Sequence, residues 1–249
     1  QNDWNWNVGA NIAFNKTKIL DLGDTEEMNS SDSRIKHKVG MSFYTFYLKD
    51  YYGVNPSNGE ALYWTEDNTL TNNYNKARYV YSGSPEPKFT GGLNTNLSWK
   101  GLSLGAFMEF KYGNKVMIVE NRYLFSDGNQ MSTNHVVSAL NYWKQPGDTG
   151  VSPKPFAGNA TNSYHFSTNR WIEDGSFLRI KDITLSYDLP NRIVKDMLKL
   201  NGLRFYLSGL NIYTFHDVAW FDPERGVMGM GAGIYPQSKT FIGGIELSF

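Results

Sequence analysis

Alternate positions along this chain differ in polarity, and the alternation runs for about a dozen residues at a time. Over 3–14 the even positions are Trp4, Trp6, Val8, Ala10, Ile12 and Phe14, while the odd ones are Asp3, Asn5, Asn7, Gly9, Asn11 and Ala13. A β-strand turns successive side chains to opposite faces, so this segment presents one apolar face and one small or polar face. Strands of soluble sandwiches alternate too, but they average about 5–6 residues; a tilted membrane-spanning strand needs about 9–11. The last segment repeats the pattern, with Phe241, Gly243, Ile245, Leu247 and Phe249 on one face and Thr240, Ile242, Gly244, Glu246 and Ser248 on the other. In between, Phe89, Gly91, Leu93, Thr95, Leu97 and Trp99 lead through Lys100-Gly101 into Leu102, Leu104, Ala106, Met108, Phe110 and Tyr112, with Phe107 the exception on the opposite face. This predicts a hairpin of two long strands joined by a minimal turn. Trp4 and Trp6 at a strand end fit the aromatic girdle of a membrane interface.

Further strands are expected over 39–51, 176–187 and 203–214, making seven long strands with one or two short extras such as 61–65. The 39–51 stretch is less clean, because Phe43, Tyr44, Phe46 and Tyr47 put aromatics on both faces. Asn55-Pro56-Ser57-Asn58-Gly59 is a turn signal. Residues 15–37, 66–78, 113–170 and 216–236 read as loops. The longest of them is expected to be partly helical over 131–142, and a short helix should start at Pro190 and stop before Gly202. A connection as long as 113–170 in a compact domain usually carries function. Short turns at one end and long loops at the other are the layout of an outer-membrane barrel.

Composition narrows the choice. Lys plus Arg and Asp plus Glu number 24 each among 249 residues, so no net field draws the chain to nucleic acid. There is no cysteine, which excludes a disulfide framework, a thiolate metal site and a cysteine nucleophile. Mean hydropathy is −0.48, and no run approaches the roughly 18 apolar residues of a spanning helix. A barrel passes that test unseen, since every second residue can be polar. No signal-peptide pattern opens the chain, as expected of a mature form or a fragment.

Three segments carry a resemblance: RWIEDGSFLRIKDITLSYDLP at 170–190, LRFYLSGLNIYTF at 203–215 followed by FDPE at 221–224, and YPQSKTFIGGIELSF at 235–249. In this order and spacing they resemble the closing strands of SusC/RagA-type TonB-dependent outer-membrane transporters. GVNPSNGEALYW at 53–64 and PKFTGGL at 87–93 are similar to the same family's middle strands. The resemblance implies an all-β fold: the last eight to ten strands of a transmembrane antiparallel β-barrel of about 22 strands, the size class of plugged transporters. It implies that residues 1–249 are the C-terminal part of a longer receptor whose plug domain and TonB box lie elsewhere, in the outer membrane of a Gram-negative bacterium. The expected activity is TonB-energised uptake of oligosaccharides or peptides, without catalysis or cofactor. The partners implied are a SusD-like surface lipoprotein, TonB-ExbB-ExbD acting through the N-terminal part, the barrel assembly machinery and outer-membrane lipid. Two rival readings are a complete small barrel of about eight strands acting as adhesin or anchor, and a barrel hydrolase.

Candidate chemistry is sparse. His37, His135, His165 and His216 show no metal-ligand spacing. Glu173-Asp174 and Asp222-x-Glu224 are close carboxylate pairs, expected at turns and strand ends. His216-Asp217 lacks a nameable third partner for hydrolysis. Gly229-x-Gly231-x-Gly233 does not join a strand to a helix, so it reads as loop. The aromatics Trp64, Tyr142, Trp143, Trp220 and Phe221 fall in the outer loops, where they would stack on a ligand or simply pack the loops. Ending on Phe249, behind Phe241, Ile245 and Leu247, the last strand looks like the C-terminal signal by which outer-membrane barrels are recognised for assembly. Replacing Phe249 with Asp is therefore expected to reduce surface display of the receptor to background, measured by antibody labelling of intact cells; display at the unmodified level would remove the assembly-signal reading.

Overall fold

The computed structural model describes residues 3–249 except 131, 160–162, 164, 166, 232 and 234. Its largest element is one antiparallel sheet of six long strands: β1 (Trp4–Phe14), β2 (Phe89–Trp99), β3 (Leu102–Tyr112), β4 (Phe177–Asp188), β5 (Gly202–His216) and β6 (Thr240–Ser248). They are hydrogen-bonded in sequence order, so the sheet is a pure meander. β1 and β6 stand at its two edges, and the sheet does not close on itself.

The alternation read from the sequence sorts this sheet into two faces. One row across all six strands is Val8, Thr95, Ala106, Ile183, Gly209 and Phe241. That face is uncovered: Trp6, Leu207 and Ile245 are 69%, 58% and 62% exposed. Rings mark both of its ends. Trp4 stacks on Trp99 at 5.3 Å beside the short turn, and Phe89 meets Phe14 at 5.8 Å and Tyr112 at 4.9 Å at the loop end. An 11-residue strand rises about 34 Å and, tilted by about 45°, covers about 24 Å, close to the roughly 25 Å apolar band of an outer-membrane barrel. The opposite face carries Asn5, Asn7, Asn94, Asn96, Ser98, Ser103, Thr184, Ser186 and Ser208.

Lys100 and Gly101 both have positive φ (47° and 88°), the requirement of the type I′ turn whose twist matches its flanking strands. A Cβ on Gly101 would sit 2.5 Å from the Asp188 carbonyl, so glycine is needed there twice over. The helix expected after Pro190 is a single wide turn over Ile193–Met197.

Three expectations fail. The wall has six strands, fewer than the eight to ten that the resemblance implies; of the seven long strands read from the alternation, 39–51 is the one that does not form. Lys36–Lys38 and Tyr47–Lys49 are short, and the chain doubles back between them through Lys36 N–H to Thr45 O and Tyr47 N–H to Arg34 O. Aromatics on both faces suit a segment that buries Phe46 and Leu48 on one side while Tyr47 stacks on Tyr79 on the other. The helix over 131–142 reduces to a 3₁₀ turn at Val137–Leu140, and Met131 lies outside the described residues; the α-helix sits instead at Asn121–Phe125. The 66–78 loop contains a two-residue strand, Leu70–Thr71, and a 3₁₀ turn, Tyr74–Lys76.

The core lies outside the wall. Ile35, Phe46, Leu48, Met117, Val119, Trp171 and Met230 form one cluster drawn from three loop regions. Smaller clusters centre on Tyr63 and on Ile118 with Val218. Among the described residues only Phe177 of the buried hydrophobic set belongs to a wall strand. The long connections are thus one packed cap on the loop end of the sheet. Val8→Arg, in mid-strand on the bare face, is expected to cost about 2–4 kcal/mol in lipid, while Asn7→Arg on the opposite face leaves stability nearly unchanged; urea unfolding of the vesicle-embedded protein compares the two.

Candidate functional site

The polar face of the sheet changes character along its length. Toward the tight turns its central strands hold small amides and hydroxyls, as in Thr184 Oγ1 to Ser208 Oγ at 2.6 Å. Toward the loops it gathers Glu109, Lys111, Arg179 and Lys181. A bulge in β4 opposite both neighbours puts Lys181 and Asp182 consecutively on this face, the re-aiming that bulges achieve. It is readable in the sequence as a slip of the apolar positions, from 178 and 180 to 183, 185 and 187.

Arg179 is the centre of this end. Its side chain is 1% exposed although it lies on the face opposite the bare apolar one. It donates from Nε to Thr214 Oγ1 (2.9 Å), from Nη1 to Glu224 Oε2 (2.9 Å) and from Nη2 to Asp222 Oδ1 (2.6 Å). Lys111 lies 3.6 Å from Glu224, and Lys181 lies 3.1 Å from Glu109. What covers Arg179 is the 217–239 loop, folded inward against the wall. Asp222 is further fixed by the backbone N–H groups of Glu224 (2.8 Å) and Gln237 (3.3 Å). Burial alone would raise the Asp222 pKa; those N–H groups and the Arg179 guanidinium outweigh it and hold the carboxyl below its usual range.

Two clefts flank this loop. One of about 570 Å³ is lined by Tyr44, Glu86, Lys111, Asn114, Glu224 and Arg225, with Pro85, Pro87 and Pro223 at its sides. The other, about 410 Å³, is lined by Asn211, Tyr213, His216, Trp220, Phe221 and Lys239 among others. Both fall in the size range of ligand sites. They share Pro223 and Gln237.

The five aromatics singled out by the sequence are not brought together. Trp220 is 61% exposed and sits at φ 69°, a backbone region that bulky residues rarely adopt; it shares the smaller cleft with Phe221, which also packs on the Val116, Ile118 and Val218 cluster. Trp143 is buried, with Nε1 donating to Pro56 O at 3.0 Å. Trp64 meets Tyr52 edge-on, and Tyr142 bridges to Ser152. Phe241, Ile245 and Leu247 lie on β6 facing outward, and Phe249 follows them 85% exposed.

The carboxylate pairs divide. Glu173 accepts from Asn121 Nδ2 (2.8 Å) and Ala219 N–H (2.9 Å), and burial raises its pKa; Asp174 pairs with Lys115 at 3.1 Å. Asp222 and Glu224 instead converge on Arg179. His37 stacks on Phe43 and His165 on Tyr74, and His135 bonds Gln130 O. Among the described residues no three His, Asp or Glu side chains gather as a metal site. The sequence reading missed Lys111, Arg179, Lys181, Glu86 and Arg225. The signal for the wall residues was present: charge entering an otherwise Asn, Ser and Gly register near the strand ends.

No protein-family model matches the chain. It is 25% identical to TonB-dependent receptor P3 of Formosa agariphila, over 99% of this chain and 27% of that protein. It is 24% identical to TonB-dependent receptor SusC of Bacteroides thetaiotaomicron, over 99% of this chain and 25% of that one. Its fold matches part of the barrel in structures of the RagAB peptide transporter (TM-score 0.86) and of the RagAB peptide importer in the open-open state (0.84), each 29% identical and covering the whole chain and 28% and 27% of the solved one. The chain therefore spans about a quarter of the length of these relatives, which are receptors and importers rather than enzymes.

The sign of the Asp222 shift sets a pH dependence. A carboxyl held low contributes stability above its unfolded pKa and loses that contribution as the pH falls below about 4. Hydrogen-exchange protection of the Glu224 and Gln237 amides, corrected for intrinsic rates, is expected to hold from pH 7 to pH 5 and to drop as the pH is taken below about 4, and Asp222→Asn is expected to abolish that pH dependence.

Proposed function

The chain being part of a SusC/RagA-type TonB-dependent receptor of the Gram-negative outer membrane, we propose that it forms the last section of the barrel wall and the mouth of an importer for oligomeric nutrients. The single observation that carries this is the bare apolar face with aromatic rings at both ends, backed by a polar face onto which a loop folds. The remaining, N-terminal part of the receptor supplies the other wall strands, the plug and the contact to TonB. A SusD-like surface lipoprotein covers the loop end, in keeping with the RagAB complex. Ligand is held between lid and barrel mouth and passes when the plug is displaced.

Between peptides and oligosaccharides, the larger cleft favours peptides. Its lining sets Lys111 against Glu86 and Glu224, with three prolines and one half-buried tyrosine. Both signs of charge match a chain that carries both; a neutral glycan gains little from them. Neutral sugars are better served by stacking on exposed rings; the exposed ones here, Trp220 and Tyr213, line the smaller cleft and not the larger.

The test is uptake. Cells lacking the receptor gene should lose import of a fluorescent mixed-charge oligopeptide, and the intact gene should restore it. Lys111→Gln is expected to weaken binding of that peptide about 10- to 100-fold, the cost of one charge-assisted hydrogen bond, and to leave a neutral maltooligosaccharide unaffected. Import of neutral oligosaccharide with no import of peptide would replace the peptide reading, and import of neither would sink the importer reading.

A further inference from the structure

The described residues of the 217–239 loop lie against the polar face of the wall, and the loop is fastened at two separate places. At the first, Arg179 of β4 grips Asp222 and Glu224 at once, and Thr214 of β5 takes its third bond. At the second, Arg225 donates from Nη1 to Glu120 Oε1 (3.0 Å) and to the Gly231 carbonyl (2.8 Å), the Gly233 N–H reaches the same Glu120 oxygen (3.2 Å), and Met117 N–H bonds the Gly229 carbonyl (2.8 Å) beside the buried Met230. The arginine side chains at both places are 1% exposed. The Arg179 guanidinium, removed from water and held by two carboxylates of the loop, resists release because opening the loop breaks both charge-assisted bonds at once. Within the first fastening, between Asp222 and Glu224, sits Pro223, whose ring fixes φ and removes a donor. Pro223 and Gln237 each line both clefts, so the loop is the wall between them.

We propose that 217–239 is a fixed partition inside the barrel mouth, and that Arg179 is its positioning residue. The partition keeps two adjoining subsites, of about 570 and 410 Å³, that one extended ligand occupies by lying across the Pro223–Gln237 ridge. Arg179 touches no ligand in this arrangement; it acts through Asp222 and Glu224. The charged subsite takes the polar ends or side chains of the ligand, and Trp220 receives an apolar group in the other. The subsite assignment rests on the ligand-cavity reading above, while the rigidity of the partition does not.

The experiment uses the whole receptor in nanodiscs with native cysteines replaced, spin-labelled at Val227→Cys on the loop and Ser98→Cys on the wall. The distance distribution between the labels is expected to be narrow, and unchanged by adding the partner lipoprotein or a mixed-charge decapeptide. Arg179→Gln should broaden it and weaken decapeptide binding at least tenfold while changing binding of a dipeptide, which fits one subsite, less than threefold. Asp222→Asn with Glu224→Gln, both in the loop and so remote from strand assembly, should reproduce the broadening if Arg179→Gln fails to assemble. A distribution already broad in the unmodified receptor, one that shifts on ligand or partner addition, or one untouched by both sets of substitutions would overturn the fixed partition. Equal losses for decapeptide and dipeptide would overturn the two-subsite arrangement. No binding of either peptide to a receptor with a narrow distribution would instead count against the peptide reading.

Discussion

Hydrocarbon offers no hydrogen bonds, and every other feature of this chain follows from that. A backbone that crosses a membrane must satisfy each N–H and C=O internally, which strands do only through their neighbours. The six wall strands are long and ordered as a meander, so the four inner ones complete their ladders with the wall strands before and after them in sequence. Once the backbone is satisfied laterally, the side chains on one face need no protein partner. That is why Trp6, Leu207 and Ile245 stand exposed without making a fault in the fold.

The consequence is an inverted distribution of packing. In a soluble sheet protein the strands would bury their apolar rows against a second layer. Here the strands bury almost nothing, and the close-packed core belongs to the loops. Ile35, Phe46, Met117, Trp171 and Met230 come from three separate connections and meet above the sheet, where Arg170 grips the buried Asp127 as a second, ionic anchor. A cap ordered in this way can hold a cleft in a defined shape, which a set of independent loops could not do.

The charge on the inner face is placed where the cap meets the wall. Arg179, Lys181, Lys111 and Glu109 are spaced along two adjacent strands, and Asp222 and Glu224 descend from the cap to meet them. The pairing is worth more here than on an open surface, since Arg179 is withdrawn from water and Asp222 is held by backbone N–H groups as well. It joins two bodies that are otherwise built on different principles: a wall stabilised by lipid and ladders, and a cap stabilised by packing.

Much of the wall was legible beforehand. The Trp4–Phe14 strand, the hairpin around Lys100-Gly101 and the final strand follow from a period of two and from one turn dipeptide, both local properties that a lipid-facing strand cannot violate. The stretch from 39 to 51 was misread because apolar residues on both faces mean only that both faces are covered, and loop packing does that as well as a wall does. The five loop aromatics were noticed for their ring chemistry, yet Trp143 proved to brace the Pro56 turn while Trp220 lines a cleft; a loop residue's role depends on which distant segment arrives beside it. Asp222-x-Glu224 stood out as a carboxylate pair, but its partner lies some forty residues upstream on another strand. The sequence by itself therefore determined which faces meet lipid and where strands turn, because those depend on neighbours along the chain. Only the tertiary structure decided that the loops share a core, that one loop folds inside and that Arg179 fastens it, because those contacts join residues that chain order does not bring together.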